Sequence, residues 1–415
     1  MTITAAQVCG ELRRLRPSKA AGPDGVSPRL LKACARELGH PLQRIFNLSL
    51  GQGRVPQLWK TSCIIPVPKK PHPVCLPGEK TGVEDAIIFL LHRSLSHLDR
   101  GSGAVRITFL DFSSAFNTIQ PLLLRDKLTE MGVGSHLVAW ITDYLTGRPQ
   151  YVRLGDCRSD TVASSTGAPQ GTVLSPVLFT LYTSDFQYKS EFCHVQKFAC
   201  GCDTAIVGCI RSGQEDEYRE LIKDFVTWCD LNHLLLNTTK TREMVVDFRR
   251  PRPHPEPVII KGDCVEVVHT YKYLGVQLDD KLDWTANTDA LCRKGQSRLY
   301  FLRRLASFNI CKKLLQIFYQ SVVASALLYA VVCWGGSLKK KDAARLDKLV
   351  RKAGSVVGTE LDSLTSVAER RTLNRLLSII DNPSHPLHSA ISRQRSSFSD
   401  RLLSLSCSST DRLRR

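Results

Sequence analysis

Apolar residues recur along this chain at two spacings, which divide it into predicted helices and strands. Residues 5–16 form a short amphipathic pattern with a basic face, and helical spacing continues through 29–50, 122–133 and 135–148. Ser27-Pro28 predicts an N-cap followed by a first-turn proline, with a turn at Gly22-Pro23-Asp24-Gly25 before it. Gly147 and Pro149 close the fourth helix. A strand is expected within 55–70, where Ile64, Ile65 and Val67 stand between prolines, and another at Ile107–Leu110. Residues 150–171 alternate like a hairpin, and 258–278 supply further strands. Past residue 281 the pattern is helical again, including a basic helix over 339–358.

One segment raises the question of a membrane. Leu314–Leu338 carries no charge and is long enough to span a bilayer. Gln316, Gln320, several serines and paired glycines dilute it, and basic amphipathic helices flank it. A buried core helix is expected, with no membrane as partner.

Composition narrows the class. With 43% apolar and 23% charged residues over 415 positions, the chain reads as globular, with two or three domains, and not as disordered. A formal charge of +18, from 57 basic and 39 acidic residues, points to a polyanion partner, nucleic acid first. Fifteen cysteines without a repeating framework, and no secretory signal at the start, predict reduced thiols in the nucleus or cytoplasm. Cys193, His194, Cys200, Cys202 and Cys209 lack paired knuckles and do not read as a zinc site.

The chemistry gathers around Asp111. An apolar strand delivers this acid to a small-residue turn, ahead of Ala115-Phe116-Asn117. A strand-end aspartate is as often a helix cap as a metal ligand, so its neighbours decide. Further along come GAPQGTVLSPVLFTLYTSDF (167–186), KFACGCDTAIVG (197–208), WCDLNHLLLNTTKTREMVVDF (228–248) and YKYLGVQLDD (271–280). In that order and spacing they resemble the palm motifs of reverse transcriptases from non-LTR retrotransposons, of the LINE-like, fish-type kind. The resemblance implies an α+β right-hand polymerase: an antiparallel palm sheet with helices, truncated fingers and a helical thumb. The implied reaction is RNA-directed DNA synthesis from dNTPs on an RNA template and DNA primer, with Mg2+ (or Mn2+) as cofactor.

Roles follow residue by residue from that resemblance. Asp111 and Asp203 are the expected metal ligands, and Lys240 is placed near the pyrophosphate as a general acid. Phe112, Phe116, Gln170 and Gly171 are expected at the incoming nucleotide, Phe116 as the bulk that excludes a ribose 2′-hydroxyl. Lys60, Lys69 and Lys70 would line the template groove, while Arg293, Lys294, Arg298, Arg303 and Arg304 would track template–primer phosphates. Tyr273-Leu274-Gly275 resembles the primer grip. The implied division is fingers remnant 1–81, palm 82–280, thumb and connection 281–380, and a loose Ser/Arg-rich tail 381–415; oligomeric state is left open.

Two departures from the family pattern matter. An Arg-Pro-containing fingers segment expected after the basic strand is missing, as if deleted near 74–82. The hairpin that should carry two adjacent acids reads Phe198-Ala199-Cys200-Gly201-Cys202-Asp203. Its first acid is absent, and the extra turn residues are expected to shift Asp203 out of register. A thiol is a poor ligand for a hard cation, so the expected enzyme is catalytically impaired, or a nucleic-acid-binding relic. By the same resemblance, the chain is expected to lack the endonuclease domain that precedes the polymerase motifs. Residues 284–334 also resemble a segment from the N-terminus of AlkB-homologue proteins. Without a His-x-Asp…His iron site or a Gly-rich methyl-donor loop, a dioxygenase reading rests on that segment alone.

Overall fold

The computed structural model describes residues 2–19, 21–65, 82–99, 103–197, 203–211, 213–249 and 255–392. Helix α1 (Ala5–Arg14) opens with a capping box, in which Thr4 Oγ1 accepts from the Gln7 amide and the Gln7 side chain accepts from the Thr4 amide. Ser27 caps α2 (Pro28–Ala33) by accepting from the Leu30 amide at 3.1 Å, with Pro28 in the first turn. The helix expected over 29–50 is two helices, because Cys34 leaves helical geometry before α3 (Ala35–Gln52) begins. The strand expected within 55–70 starts instead as a helical turn, α4 (Gln57–Lys60), and only β1 (Ser62–Ile64) is extended.

Next comes α5 (Val83–Asp99), then the long strand β2 (Gly103–Asp111) and the helices α6 (Pro121–Glu130) and α7 (Ser135–Leu145). The hairpin predicted over 150–171 is realised in part: β3 (Arg148–Leu154) pairs with β4 (Cys157–Arg158) and β5 (Val162–Ser164), and parallel to β1. Helix α8 (Leu174–Tyr182), strands β6 (Cys193–Lys197) and β7 (Asp203–Arg211), helix α9 (Asp216–Leu231) and strand β8 (Arg242–Val246) complete the centre. Two short hairpins follow, β9 (Ile259–Ile260) with β10 (Asp263–Cys264), and β12 (Thr270–Tyr273) with β13 (Val276–Asp279), separated by β11 (Glu266–Val267).

The order β11-β8-β2-β7-β6 makes a five-stranded sheet, antiparallel except at β11–β8. Both faces are covered, so the alternation along β2 sorts apolar side chains into two cores. Val105, Ile107 and Phe109 share one with α5, the β12–β13 hairpin and the C-terminal helices. Leu110 and Phe112 join the other, with α6 to α9. Burying both faces of β2 requires its polar members to be paired. Arg106, 1% exposed, donates to both carboxylate oxygens of Glu243 at 2.8 Å, and also reaches Glu215 and the Glu256 carbonyl. Burial works to lower the Arg106 pKa, but Glu243, with Tyr218 and Glu215, outweighs it and holds the value above the ordinary range.

The C-terminal part is helical: α10 (Thr285–Ala306), α11 (Lys312–Phe318), α12 (Ser325–Leu327), α13 (Val331–Trp334), α14 (Lys340–Val357), α15 (Leu364–Ile380) and α16 (His388–Ser392). The core helix expected over 314–338 is broken by a π-turn at Tyr319–Ala324 and by Ala330 at φ 50°. Its apolar side chains Leu315, Val323, Leu327, Val331 and Trp334 are nonetheless buried in the first core. Among the described residues no single helix is long and apolar enough to cross a membrane; one bent pair, Lys312–Leu327 with Val331–Ser337, meets the test by length and composition alone. The chain stays packed beyond residue 381, where a loose tail was expected: Leu387 is buried and His385 Nε2 lies 3.3 Å from the buried Asp85 carboxylate. Residues 393–415 lie outside the described residues.

Candidate active site

β2 carries Asp111 to its end, and the pairing with β7 runs unbroken from Gly103↔Arg211 to Asp111↔Asp203. On the same strands Phe109 stands opposite Ala205, and both are buried in the first core. The expected shift of Asp203 out of register is therefore corrected. A one-residue slip would turn Ala205 and Val207 away from the core they fill, so burial holds the pairing whatever the length of the turn. Cys200 and Cys202 lie outside the described residues, and Cys193 and Cys209 are buried in different apolar clusters.

A second segment brings the lysine. Beyond Asp111 the backbone pairs with residues 235–237: the Asn237 amide donates to the Asp111 carbonyl at 2.8 Å and the Ser113 amide to the Leu235 carbonyl at 2.8 Å. Asn237 then folds the following turn, its Oδ1 accepting from Thr239 Oγ1 at 2.7 Å and from the Lys240 amide at 3.3 Å. That turn sets Lys240 Nζ 3.2 Å from Asp111 Oδ2. The same Oδ2 is buried and accepts no well-aligned hydrogen bond among the described residues, so the contact is a charge pair only.

The elements expected at the nucleotide are stitched to the Asp111 turn. Ser114 sits at φ 55° and opens the 3-10 turn Ala115–Asn117, a left-handed backbone of the kind held at functional sites. The Gly167 amide donates to the Ile119 carbonyl and the Ala168 amide to the Phe116 carbonyl, both at 2.7 Å. Gln170 Nε2 reaches Asn117 Oδ1 at 3.3 Å, and Phe116 packs edge-on against Phe179 at 5.6 Å. Gln170 and Gly171 are exposed, Phe116 half-buried. Gly167 has φ +71°, and a Cβ there would stand 2.7 Å from Asn117 Cα and 2.8 Å from the Phe116 carbonyl oxygen. Gly167→Ala is accordingly expected to destabilise the fold by about 1–3 kcal/mol, read as a lowered thermal midpoint; an unchanged midpoint would show that the loop does not need this close approach.

Several expectations are corrected by packing. Phe112 turns into the second core against Phe179 and Phe225, so its side chain is not at the nucleotide position. Lys60 is 6% exposed, with Nζ 3.3 Å from Asp143, and faces no groove. Arg298 is half-buried and donates to the Val322 carbonyl within the π-turn, which makes it a structural link. Arg293, Arg303 and Arg304 are exposed and Lys294 half-buried, its pKa lowered by burial and by Lys272 and Arg298. Lys69 and Lys70 lie outside the described residues. In the β12–β13 hairpin, Leu274 (φ 47°) and Gly275 (φ 88°) form the tight turn, and Tyr329 Oη donates to the Leu274 carbonyl at 2.9 Å.

Sequence reading missed Arg148. Buried at 4% exposure, it donates to the Leu145, Thr166 and Gly167 carbonyls and so fixes the glycine loop. Its only signal is an arginine between a helix-ending glycine and a proline, too common to single out. Burial lowers its pKa, with Tyr144 opposing.

A five-stranded sheet that places two aspartates opposite each other in register, flanked by a helical C-terminal part, is the arrangement expected of a right-hand polymerase palm. Residues 63–278 match the family model for reverse transcriptase (RNA-dependent DNA polymerase). The chain belongs to the reverse transcriptase family, in its LINE-like, non-LTR branch. It is 22% identical to the "Probable RNA-directed DNA polymerase from transposon BS" of Drosophila melanogaster, over 96% of this chain and 48% of that protein. It is 23% identical to the "RNA-directed DNA polymerase from mobile element jockey" of the same fly, over 81% and 42%. The chain thus spans about half the length of these relatives or less. A telomerase from Candida tropicalis aligns with 87% of this chain and 63% of its own at 11% identity and a TM-score of 0.40. Residues 284–325 match the model for the N-terminal part of alkylated DNA repair protein alkB homolog 8. That stretch is α10, α11 and the π-turn, and it contains neither His nor Glu with which to ligate iron.

Proposed function

We propose that this chain is the polymerase portion of a non-LTR retrotransposon protein, that it copies an RNA template into DNA from dNTPs, and that it does so slowly. The observation that supports this best is the Asp111↔Asp203 register with Lys240 beside Asp111. The division into fingers 1–81, palm 82–280 and thumb 281–380 belongs to the same reading.

A divalent cation fits the residues present. Asp111 Oδ2 is a buried hard oxygen that accepts no hydrogen bond among the described residues, and Mg2+ takes oxygen ligands. Asp111 and Asp203 would hold it. Bound there, such an ion lowers the pKa of a primer 3′-hydroxyl and neutralises a leaving pyrophosphate. The chain itself supplies the rest. Phe116 narrows the space at the sugar, and Gln170 presents its amide beside Asn117. Lys240, with 62% of its side chain exposed, swings from Asp111 to give a proton to the departing phosphate oxygen. The hairpin motif carries no acid before Asp203, where the family pattern has its first, and this is the reason for the low rate.

Primer extension on poly(rA)/oligo(dT) tests the proposal, in Mg2+ and then Mn2+. Slow extension is expected, abolished by chelation and by Asp111→Ala, and lowered about a hundredfold by Lys240→Ala, the low end of general acid catalysis. Silence of the wild type in both metals would reject the catalytic reading. Salt-sensitive RNA binding would then leave a non-catalytic binder, a role that the charge of +18 supports.

A further inference from the structure

The outer face of α10 and the turn that follows it carry exposed rings beside cations. Tyr300, Phe301 and Phe308 are 63%, 55% and 64% exposed. Tyr300 and Phe301 meet edge-to-face at 5.6 Å, and the Arg304 guanidinium lies over the Phe308 ring at 5.4 Å. Arg293, Tyr300 and Arg304 share one helical stripe, about 16 Å from end to end at 1.5 Å per residue. No acid occurs between Asp289 and Asp342, whereas Arg and Lys recur from Arg293 to Lys313, and Asp289 is itself paired with Arg345 at 2.7 Å.

We propose that this stripe is a stacking platform for unpaired nucleotides, so that the chain binds single-stranded nucleic acid on α10 in addition to any duplex at the palm. The inference rests on the reading that the chain handles nucleic acid, and deepens it. Exposed rings interleaved with guanidinia accept base faces and phosphates together, and a duplex hides the base faces. A membrane surface fits less well. A membrane-lying helix keeps apolar and charged residues on opposite faces, whereas the apolar face of α10 (Leu291, Leu299, Leu302) is already buried in the core.

The test is fluorescence anisotropy with the full chain in EDTA, which removes catalysis, on labelled oligo(U), on blunt duplex RNA of equal length, and on phosphatidylserine vesicles. Tyr300→Ala and Phe308→Ala are each expected to weaken oligo(U) binding at least about fivefold, the low end for one base–ring stack, with duplex affinity unchanged. Phe308→Leu, which keeps apolar bulk without the π-face, should behave like Phe308→Ala. Arg293→Ala with Arg304→Ala should flatten the single-strand salt slope by about 1.4. Thermal melts monitor folding. Equal loss on both RNAs, no loss, or wild-type binding to vesicles but not to oligo(U) would overturn the proposal. Because no polymerisation is read, intact single-strand selectivity beside a silent extension assay leaves this inference standing and removes only the catalytic one.

Discussion

Replacing Cys202 alone with aspartate is expected to raise primer extension by about a hundredfold or more, equivalent to ~2.7 kcal/mol of barrier. The substitution creates two adjacent acids, and the second of them, Asp203, already lies opposite Asp111 in the sheet. The lesion is then a missing oxygen ligand and not a displaced strand. A second repair, Cys200→Asp with Gly201 and Cys202 removed, restores the acid pair and also shortens the turn. If Cys202→Asp recovers rate in Mg2+, ligand number limits the enzyme. If only the shortened hairpin recovers it, turn length matters despite the backbone register. If neither does, the fingers deletion expected near 74–82 limits catalysis, and the Asp111↔Asp203 register is not enough to build the site.

Arg106→Met is expected to destabilise the protein by about 3–5 kcal/mol, because it leaves a carboxylate buried without its partner. Glu243 is fully buried, and its carboxylate also accepts from Tyr218 Oη at 2.9 Å. Changing both members, Arg106→Met with Glu243→Leu, should recover much of the loss, since two buried charges then disappear together. Denaturant midpoints followed by circular dichroism read both effects. A single variant that melts within about 0.5 kcal/mol of wild type, the range of an ordinary surface change, would show that the pair does not hold the sheet. The consequence reaches the site, since this pair ties β8 to β2. β2 ends in Asp111, and β8 follows the turn that presents Lys240.

How far the site was legible depends on what each residue does. Asp111, Gln170, Gly171 and Lys240 stand in motifs that local sequence marks, and the structure brings Lys240 to Asp111 and Gln170 to Asn117. Lys60 and Lys70 look alike in sequence, both basic residues close to an apolar run. Lys60 is buried because α7 brings Asp143 to it, a partner far along the chain. Arg298 was read with four other basic residues of the same region. Its guanidinium is instead taken up by a carbonyl in the π-turn, which no helical periodicity reveals. Phe112 neighbours Asp111 in sequence, but strand alternation turns it to the opposite core.

By itself, the sequence determined the family, the order of motifs, the absent acid and the basic character, because these are matters of residue type and spacing. The tertiary structure alone decided which charges are surface and which are ties. It also decided that Asp203 stays opposite Asp111, and that Arg148 holds the glycine loop. Burial and strand register depend on contacts between residues distant in the chain. A buried face binds register more strongly than a turn's length can disturb it.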